Sequence, residues 1–398
     1  MTRKSPATVQ LGSEVLLRSQ FDLIRGKRVG VVTNHSALLH DRTHLVDALV
    51  SAKDVHVVAL FGPEHGIRGQ APDRKEIKDE LDPRTGVPTF SLFGRTTKPT
   101  SRMLKGIDIL LFDIQDVGAR FYTYITTLAL TMEAAGEREI PYVVLDRPNP
   151  IAGVLTEGPI LEESLKSFVG WLPLPIVHGL TIGEIASMMA GEGWLRGKVH
   201  PPLHIIKMKG WRRKLYSDET DLPWIRPSPS IRSLHTALVY PGTCLIEGTN
   251  VSEGRGTEHP FEYIGAPWIQ SRILLNELNS RQCPGVVFGA VSFTPRSTRT
   301  VTTDSKYESE LCHGISLNVV DRRQFRPVAT GMHVLFSLRD LYPRHFQIKT
   351  RRFDELVGSR EVREALKKDH STVEQLTARW DDGLQQFKKI RSKYLCYR

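Results

Sequence analysis

The sequence predicts an α/β protein built on a doubly wound parallel sheet, followed by a second α/β domain. Two observations predict this. Short apolar or β-branched runs alternate with segments of helical spacing through the first 150 residues. Four of those runs stop in polar loops, N-H-S, G-P-E-H-G, D-I-Q-D and D-R-P-N-P, which loads one edge of the sheet with chemistry.

Each element follows from its residues. K-R-V-G-V-V-T (27–33) is a β-branched strand ending at Asn34. Leu45, Val46, Leu49 and Val50 have helical spacing, and residues 55–61 form the next strand. This β-α-β unit makes the two strands parallel with a right-handed crossover. The second strand stops at Gly62-Pro63, where Glu64, His65 and Arg68 arrive together. A Glu held where a buried strand ends can have its proton affinity raised by desolvation, as a general acid requires. The alternative is a tight turn whose charges face water.

Residues 70–87 read as a long polar loop, a candidate lid, and residues 88–93 as a strand. A short helix (100–105) precedes a strand over 107–112 that ends in Asp113 and Asp116. Gly118 opens a helix running to about Ala135, and residues 141–145 form a strand delivering Asp146, Arg147 and Asn149. His178-Gly179 stands just before the capping box T-I-G-E (181–184) and its helix. Residues 201–208 read as a strand, 211–229 as irregular surface and 238–246 as another strand. The glycine-rich stretch 247–257 suits either a flexible linker or, through Asn250, Glu253 and Arg255, polyol recognition. A helix over 268–278, strands at 286–293 and 315–320 and a helix over 328–341 form the second domain, and a helical tail covers 371–398.

Composition narrows the function. With 398 residues, 40% hydrophobic and 25% charged, the chain is globular and long enough for two or three domains. A net charge of +10 suits an anionic partner or a solvated basic surface, but no block of like charges forms a nucleic-acid arm, so no nucleic acid is expected. Four dispersed cysteines argue against a disulfide framework and a zinc site. Neither G-x-G-x-x-G nor a Walker loop occurs, so no nucleotide cofactor is expected. A polar N-terminus and the lack of any long apolar stretch predict no membrane span. The location expected is cytoplasmic, or extracellular if the true start lies upstream.

F-G-P-E-H-G-I-R-G, F-D-I-Q-D-V-G-A-R-F-Y-T-Y, L-D-R-P-N-P, E-G-P (157–159) and Y-P-G-T-C-L-I-E-G-T-N-V-S-E-G-R-G-T together resemble the bacterial exo-β-N-acetylmuramidase family, from near Leu16 to Tyr397. The resemblance implies a Rossmann-like sheet domain without nucleotide (10–245), a smaller C-terminal α/β domain (246–398) closing the cleft, and an active site between them. It implies removal of N-acetylmuramic acid from the non-reducing end of peptidoglycan fragments, with Glu64 as the catalytic residue. Two features depart from the family pattern: the chain lacks an evident signal peptide, and P-S-P-S-I-R (227–232) stands where the family has P-S-P-N-M-P.

Glycoside hydrolysis needs an acid for the leaving oxygen and a second group for the oxocarbenium-like carbon. Glu64 suits the first role. Asp116, Asp113 or the substrate's own acetamido group, oriented by an Asp, suits the second. The lactyl carboxylate of N-acetylmuramic acid calls for a guanidinium, with Arg68, Arg120, Arg147 and Arg255 as candidates. Arg147 beside Asp146 also suits a structural pair. Tyr122 and Tyr124 can stack on sugar faces, although at i, i+2 they share no helical face and one is expected in the core. Asn34, His65, Asn149, His178, Asn250 and Glu253 complete the candidate substrate contacts. No metal ligand set has convincing spacing. A hydrolase of another N-acetylated or acidic saccharide, or a non-catalytic saccharide-binding protein, would use the same cleft.

Overall fold

The computed structural model of the chain describes residues 6–64, 66–68, 79–297, 304–368 and 371–398. His65 and most of the expected lid loop lie outside them. Seven strands, β1 (Arg28–Thr33), β2 (His56–Gly62), β3 (Glu80–Leu81), β4 (Pro88–Ser91), β5 (Ile109–Asp113), β6 (Tyr142–Leu145) and β7 (Leu203–Ile206), form one sheet in the order β3-β4-β2-β1-β5-β6-β7. All neighbours run parallel except β3, which is antiparallel to β4. The six parallel strands have the doubly wound order, with its switch point between β1 and β5. Every residue of β5 and β6 is buried, which is why those strands read as unbroken apolar runs.

Three local expectations need correction. The helix expected to open at Gly118 starts at Tyr124 (Tyr124–Gly136), leaving residues 118–123 as a loop at the sheet's carboxyl edge. Gly118 has φ +91°, and a Cβ there would strike the Asn149 side chain, so the chain cannot enter a helix at that point. Residues 101–106 form turns in place of the helix expected over 100–105. The apolar run expected as a strand at 238–246 is instead helix Leu234–Thr243, followed by a 3₁₀ turn, Cys244–Gly248. The Ser233 hydroxyl caps it by accepting from the Thr236 N–H at 3.1 Å. A buried apolar run of this length has no periodicity to separate strand from helix.

The second sheet is antiparallel, β8 (Tyr263–Ala266), β10 (Cys312–Val319) and β9 (Val286–Phe293) in that order, against helices Ser271–Ser280 and Leu234–Thr243, and helix Pro327–Leu341 packs on those two helices. One apolar cluster runs from Val32 to Phe387 and draws on both sheets. Two buried ionisable groups tie the halves together. Arg120 donates through Nη1 to the carbonyls of Pro159 and Leu174 (2.9 and 3.0 Å) and through Nη2 to those of Leu356 and Val357 (2.9 and 2.6 Å). Glu157, from the E-G-P motif, accepts the Val328 and Ala329 N–H groups (3.2 and 2.7 Å) at the start of helix Pro327–Leu341.

Burial pushes Glu157 up to about 7 against the two N–H bonds, whereas its ordinary value is 4.5. Folding therefore takes up a proton between those values, and this group's contribution to stability falls as pH rises through that window. Glu157→Gln is expected to remove part of the slope, at most about 1.4 kcal/mol per pH unit, from the pH dependence of the urea midpoint. Asp116 and Asp146, raised by burial to about 7 and about 6, leave a residual slope of the same sign.

The tail, helix Asp381–Arg391 and beyond, returns to the first sheet. Arg391 donates to the carbonyls of Gly153 and, at 2.7 Å, Gly179. The Tyr397 hydroxyl donates to Asp146 at 2.5 Å. Asp146, at the end of β6, also accepts the Thr181 hydroxyl (2.7 Å) and the Gly183 N–H (2.8 Å), so it anchors the start of helix Ile182–Gly191.

Candidate active site

The expected loaded edge divides in two. At the switch point, where a doubly wound fold usually takes its ligand, residues 222–227 of the same chain lie across the crevice. The Arg226 carbonyl is 2.8 Å from His35 Nε2, and Trp224, Ile225 and Pro227 pack over Ser36, Leu38, Gln115 and Pro148. What remains is a void of about 50 Å³. The end of β2 is different. It opens into a cavity of about 310 Å³ lined by Glu64, the loop before helix Tyr124–Gly136, and side chains of residues 228–261 and helix Thr350–Val357.

Glu64 is half-buried there, and Thr123 Oγ1 donates to its Oε2 at 3.4 Å. Gly66, at φ +73°, returns its N–H to the Pro63 carbonyl (3.0 Å), closing the turn that holds Glu64 at the strand's end. Tyr122 and Tyr124 both line the cavity, their rings edge to face at 4.9 Å. Tyr122 precedes the helix, so the helical-face rule does not separate the two. Tyr240 and Phe261 continue this wall, with ring centroids 4.7 Å apart. The Tyr124 hydroxyl donates to the Pro227 carbonyl at 2.8 Å.

Opposed charges meet in the same cavity. Glu247 accepts from Arg255 Nη2 at 3.0 Å through one oxygen and from Arg352 Nη2 at 2.8 Å through the other. Arg255 also donates to Ser230 Oγ (2.8 Å), lies 3.6 Å from Glu253 and stacks over the Phe261 ring at 4.9 Å. Burial works against the Arg352 charge, but Glu247 more than offsets it and holds the guanidinium above its ordinary value. Residues 247–254 are mostly buried, so this stretch is a built part of the site, not a flexible linker.

Other expected residues stand elsewhere. Asp113 is fully buried and forked by Arg147, through Nε and at 3.0 Å through Nη2, so Arg147 pairs with Asp113 and not with the adjacent Asp146. Asp116 accepts the Gly118 N–H at 2.7 Å and lies 3.8 Å from His178 Nε2. Burial pushes this acid up to about 7 and, with the Arg391 and Arg120 charges, His178 down to about 3. His178 Nδ1 accepts the Leu180 N–H (3.1 Å), which leaves the imidazole neutral with its proton on Nε2, facing Asp116. Arg68 is held between Asp82 (2.7 Å) and Asp47 (2.8 Å). Arg120 is the clamp described above, lowered to about 9 by burial. Asn34, Asn149 and Asn250 each close a turn or loop. Asn34 Oδ1 accepts the Ser36 N–H (3.0 Å), Asn149 Nδ2 donates to the Leu180 carbonyl (3.0 Å), and Asn250 Nδ2 donates to the His345 carbonyl (2.8 Å). Glu253 receives Lys306 Nζ at 2.9 Å.

Of the expected residues, the cavity thus gathers Glu64, Tyr122, Tyr124 and Arg255, and adds Thr123, Tyr240, Glu247 and Arg352. Thr123 and Glu247 sit inside motifs quoted from the sequence. Arg352, in T-R-R-F-D-E-L-V, carried no signal, since a basic pair on an amphipathic helix usually faces water. Among the described residues, no group of three His, Cys, Asp or Glu side chains is placed to hold a metal ion, and no helix is long and apolar enough to cross a membrane.

Two family models match the chain, described as exo-beta-N-acetylmuramidase NamZ, N-terminal, over residues 29–235, and C-terminal, over residues 238–397. The peptidoglycan beta-N-acetylmuramidase NamZ of Bacillus subtilis (strain 168) is 48% identical over 397 residues, covering 100% of this chain and 93% of that protein. A crystal structure of a DUF1343 family protein from Bacteroides fragilis NCTC 9343 superposes with a TM-score of 0.90 at 36% identity, covering 98% of this chain and 99% of that one. A second DUF1343 family protein from the same organism gives 0.81 at 33% identity over the same shares.

Proposed function

We propose a reaction for the Glu64 cavity from one premise: the chain belongs to the exo-beta-N-acetylmuramidase NamZ family. It is an exo-β-N-acetylmuramidase, a glycoside hydrolase acting on peptidoglycan, and the open assignment is which residue does what. Glu64 is the acid that protonates the departing sugar oxygen. The observation that carries this is its convergence, in one aromatic-walled cavity, with the Arg255–Glu247–Arg352 cluster.

The charges fit the step. The described lining holds two carboxylates, Glu64 and Glu247, against two guanidiniums. With Glu64 protonated, as a general acid must be before turnover, the balance is one positive charge. A terminal N-acetylmuramic acid brings one lactyl carboxylate to match it. Arg255 and Arg352 are the groups proposed to receive that carboxylate, their planes already set by Glu247. The aromatic wall offers sugar-facing surface through Tyr122 and Tyr124. A volume of about 310 Å³, at the small end of ligand sites at roughly 300–1,000 Å³, suits one terminal sugar better than a run of them.

Asp113 and Asp116 are not among the lining residues. Glu247 is the described carboxylate in the cavity that can face the oxocarbenium-like carbon, alone or beside the substrate's acetamido group. The reading is tested with N-acetylmuramic acid-β-1,4-N-acetylglucosamine and the same disaccharide lacking its lactyl group. Arg352→Ala is expected to raise KM for the lactyl-bearing substrate by about ten-fold, the effect of one charge-assisted contact. KM for the lactyl-free substrate should stay nearly unchanged. An equal rise for both would remove Arg352 from carboxylate recognition.

A further inference from the structure

A second cleft, of about 800 Å³, shares no lining residue with the Glu64 cavity. Leu238 lines it from helix Leu234–Thr243, whose Tyr240 lines the Glu64 cavity. Residues two apart on a helix point about 200° apart, so the two hollows flank one helix on opposite sides.

Cations from three distant parts of the chain converge on the second cleft. Arg212 and Lys214 come from the segment after β7, Arg322, Arg323 and Arg326 from the turn after β10, and Lys388 from helix Asp381–Arg391. All but Arg322 are exposed to solvent. Glu219 is the acid in the lining, and Asp218 and Asp321 stand in an adjoining hollow of about 570 Å³. Arg322 is fixed by Asp218 (2.6 Å) and Glu219 (3.2 Å) over the Tyr216 ring at 4.2 Å. Counting both hollows, cations still outnumber acids. Between them runs an apolar floor of Ile151, Leu155, Leu215 and Leu238, with Val154 62% exposed.

We propose that this cleft is a second binding site, for a carboxylate-bearing glycan strand, which holds the uncut polymer away from the end being hydrolysed. The proposal rests on the muramidase reading. A glycan with a lactyl group on alternate sugars presents carboxylates at regular intervals, with lactyl and acetamido methyl groups between them. Guanidinium and ammonium groups take the carboxylates, and the methyl groups cover the apolar floor. A phosphodiester polymer would use the cations but leave that floor in water. Single-stranded nucleic acid binds by stacking on open aromatic faces, and here Arg322 covers Tyr216.

The test uses peptide-free and phosphate-free glycan strands, with Glu64→Gln as the parent so that the strands stay intact. Lys214→Glu combined with Arg323→Glu, and separately Lys388→Glu, are expected to weaken strand binding by about ten-fold or more. In the otherwise native enzyme the same changes should leave disaccharide hydrolysis within about two-fold of wild type, because these residues lie outside the Glu64 cavity. Unchanged strand binding in both variants would overturn the proposal. So would equal binding of a chitin oligomer, which lacks the lactyl carboxylate, or binding only when wall phosphate polymers are present. Disaccharide hydrolysis by the wild type reports on the muramidase reading independently, so failure of either is distinguishable.

Discussion

Glu64→Gln is expected to lower kcat on N-acetylmuramic acid-β-1,4-N-acetylglucosamine by about 10²–10⁴-fold, the usual contribution of a positioned general acid. The change keeps the side chain's size and its capacity to accept from Thr123, so the cavity and KM should be nearly preserved. Free N-acetylmuramic acid, followed by mass spectrometry, is the readout. Release by the variant at the wild-type rate would move the acid elsewhere, with Asp116 next because burial already favours its protonated form. A substrate whose leaving group needs no protonation, such as an activated aryl glycoside, should recover much of the lost rate in the variant. A residue that only shaped the cavity would show no such recovery.

The second large effect is on stability. Arg120→Met is expected to cost about 3–5 kcal/mol, because it strands carbonyls in the protein interior that now share one guanidinium. Two of those carbonyls, from Leu356 and Val357, belong to helix Thr350–Val357, which also carries Arg352 into the cavity. Loss of the clamp should therefore lower the urea midpoint and raise KM together. Arg120→Lys is not expected to rescue either effect, since an ammonium offers three donors from a point and not a planar fork. The Arg120 side chain also occupies the space where a Cβ on Gly358 would stand, and Gly358, at φ +75°, ends that helix in the left-handed region. Gly358→Ala should reproduce part of the Arg120→Met loss in a thermal melt.

Much of the sheet was legible because parallel strands buried on both faces write themselves as short apolar runs, and because their endings carry polar motifs. The G-P-E-H-G ending placed Glu64 at the sheet's carboxyl edge, and the family resemblance supplied the expectation of a cleft there. The same reasoning placed Asp113 and Arg147 in the site, whereas the pair neutralises itself beneath residues 222–227. Strand ends identify an edge, but what later chain lies over that edge depends on contacts made more than a hundred residues away. Arg120 and Asn250 were misplaced for a related reason: a polar side chain that serves buried carbonyls and one that serves a ligand look identical in sequence. Helix Leu234–Thr243 was misread because its apolar residues are buried on nearly all sides, between Tyr240 at one cavity and Leu238 at the other cleft. Arg352 was invisible because only folding brings a C-terminal helix to the end of β2.

The tail's return to the first sheet also sets an order of events during synthesis. The Tyr397–Asp146 bond closes a separation of 251 residues, and the Arg391 bonds to Gly153 and Gly179 close 238 and 212. Asp146 anchors the helix that follows β6 through Thr181 and Gly183, and its bond to Tyr397 is added only once the tail has been made. A nascent chain halted near residue 245 would expose the unfilled seats of Arg391 and Tyr397 and the apolar face that the second sheet's helices cover. Such a species is open to chaperones and to self-association until the tail arrives. Refolding from denaturant should show the Tyr397–Asp146 and Arg391 contacts, which close the widest of these separations, forming late.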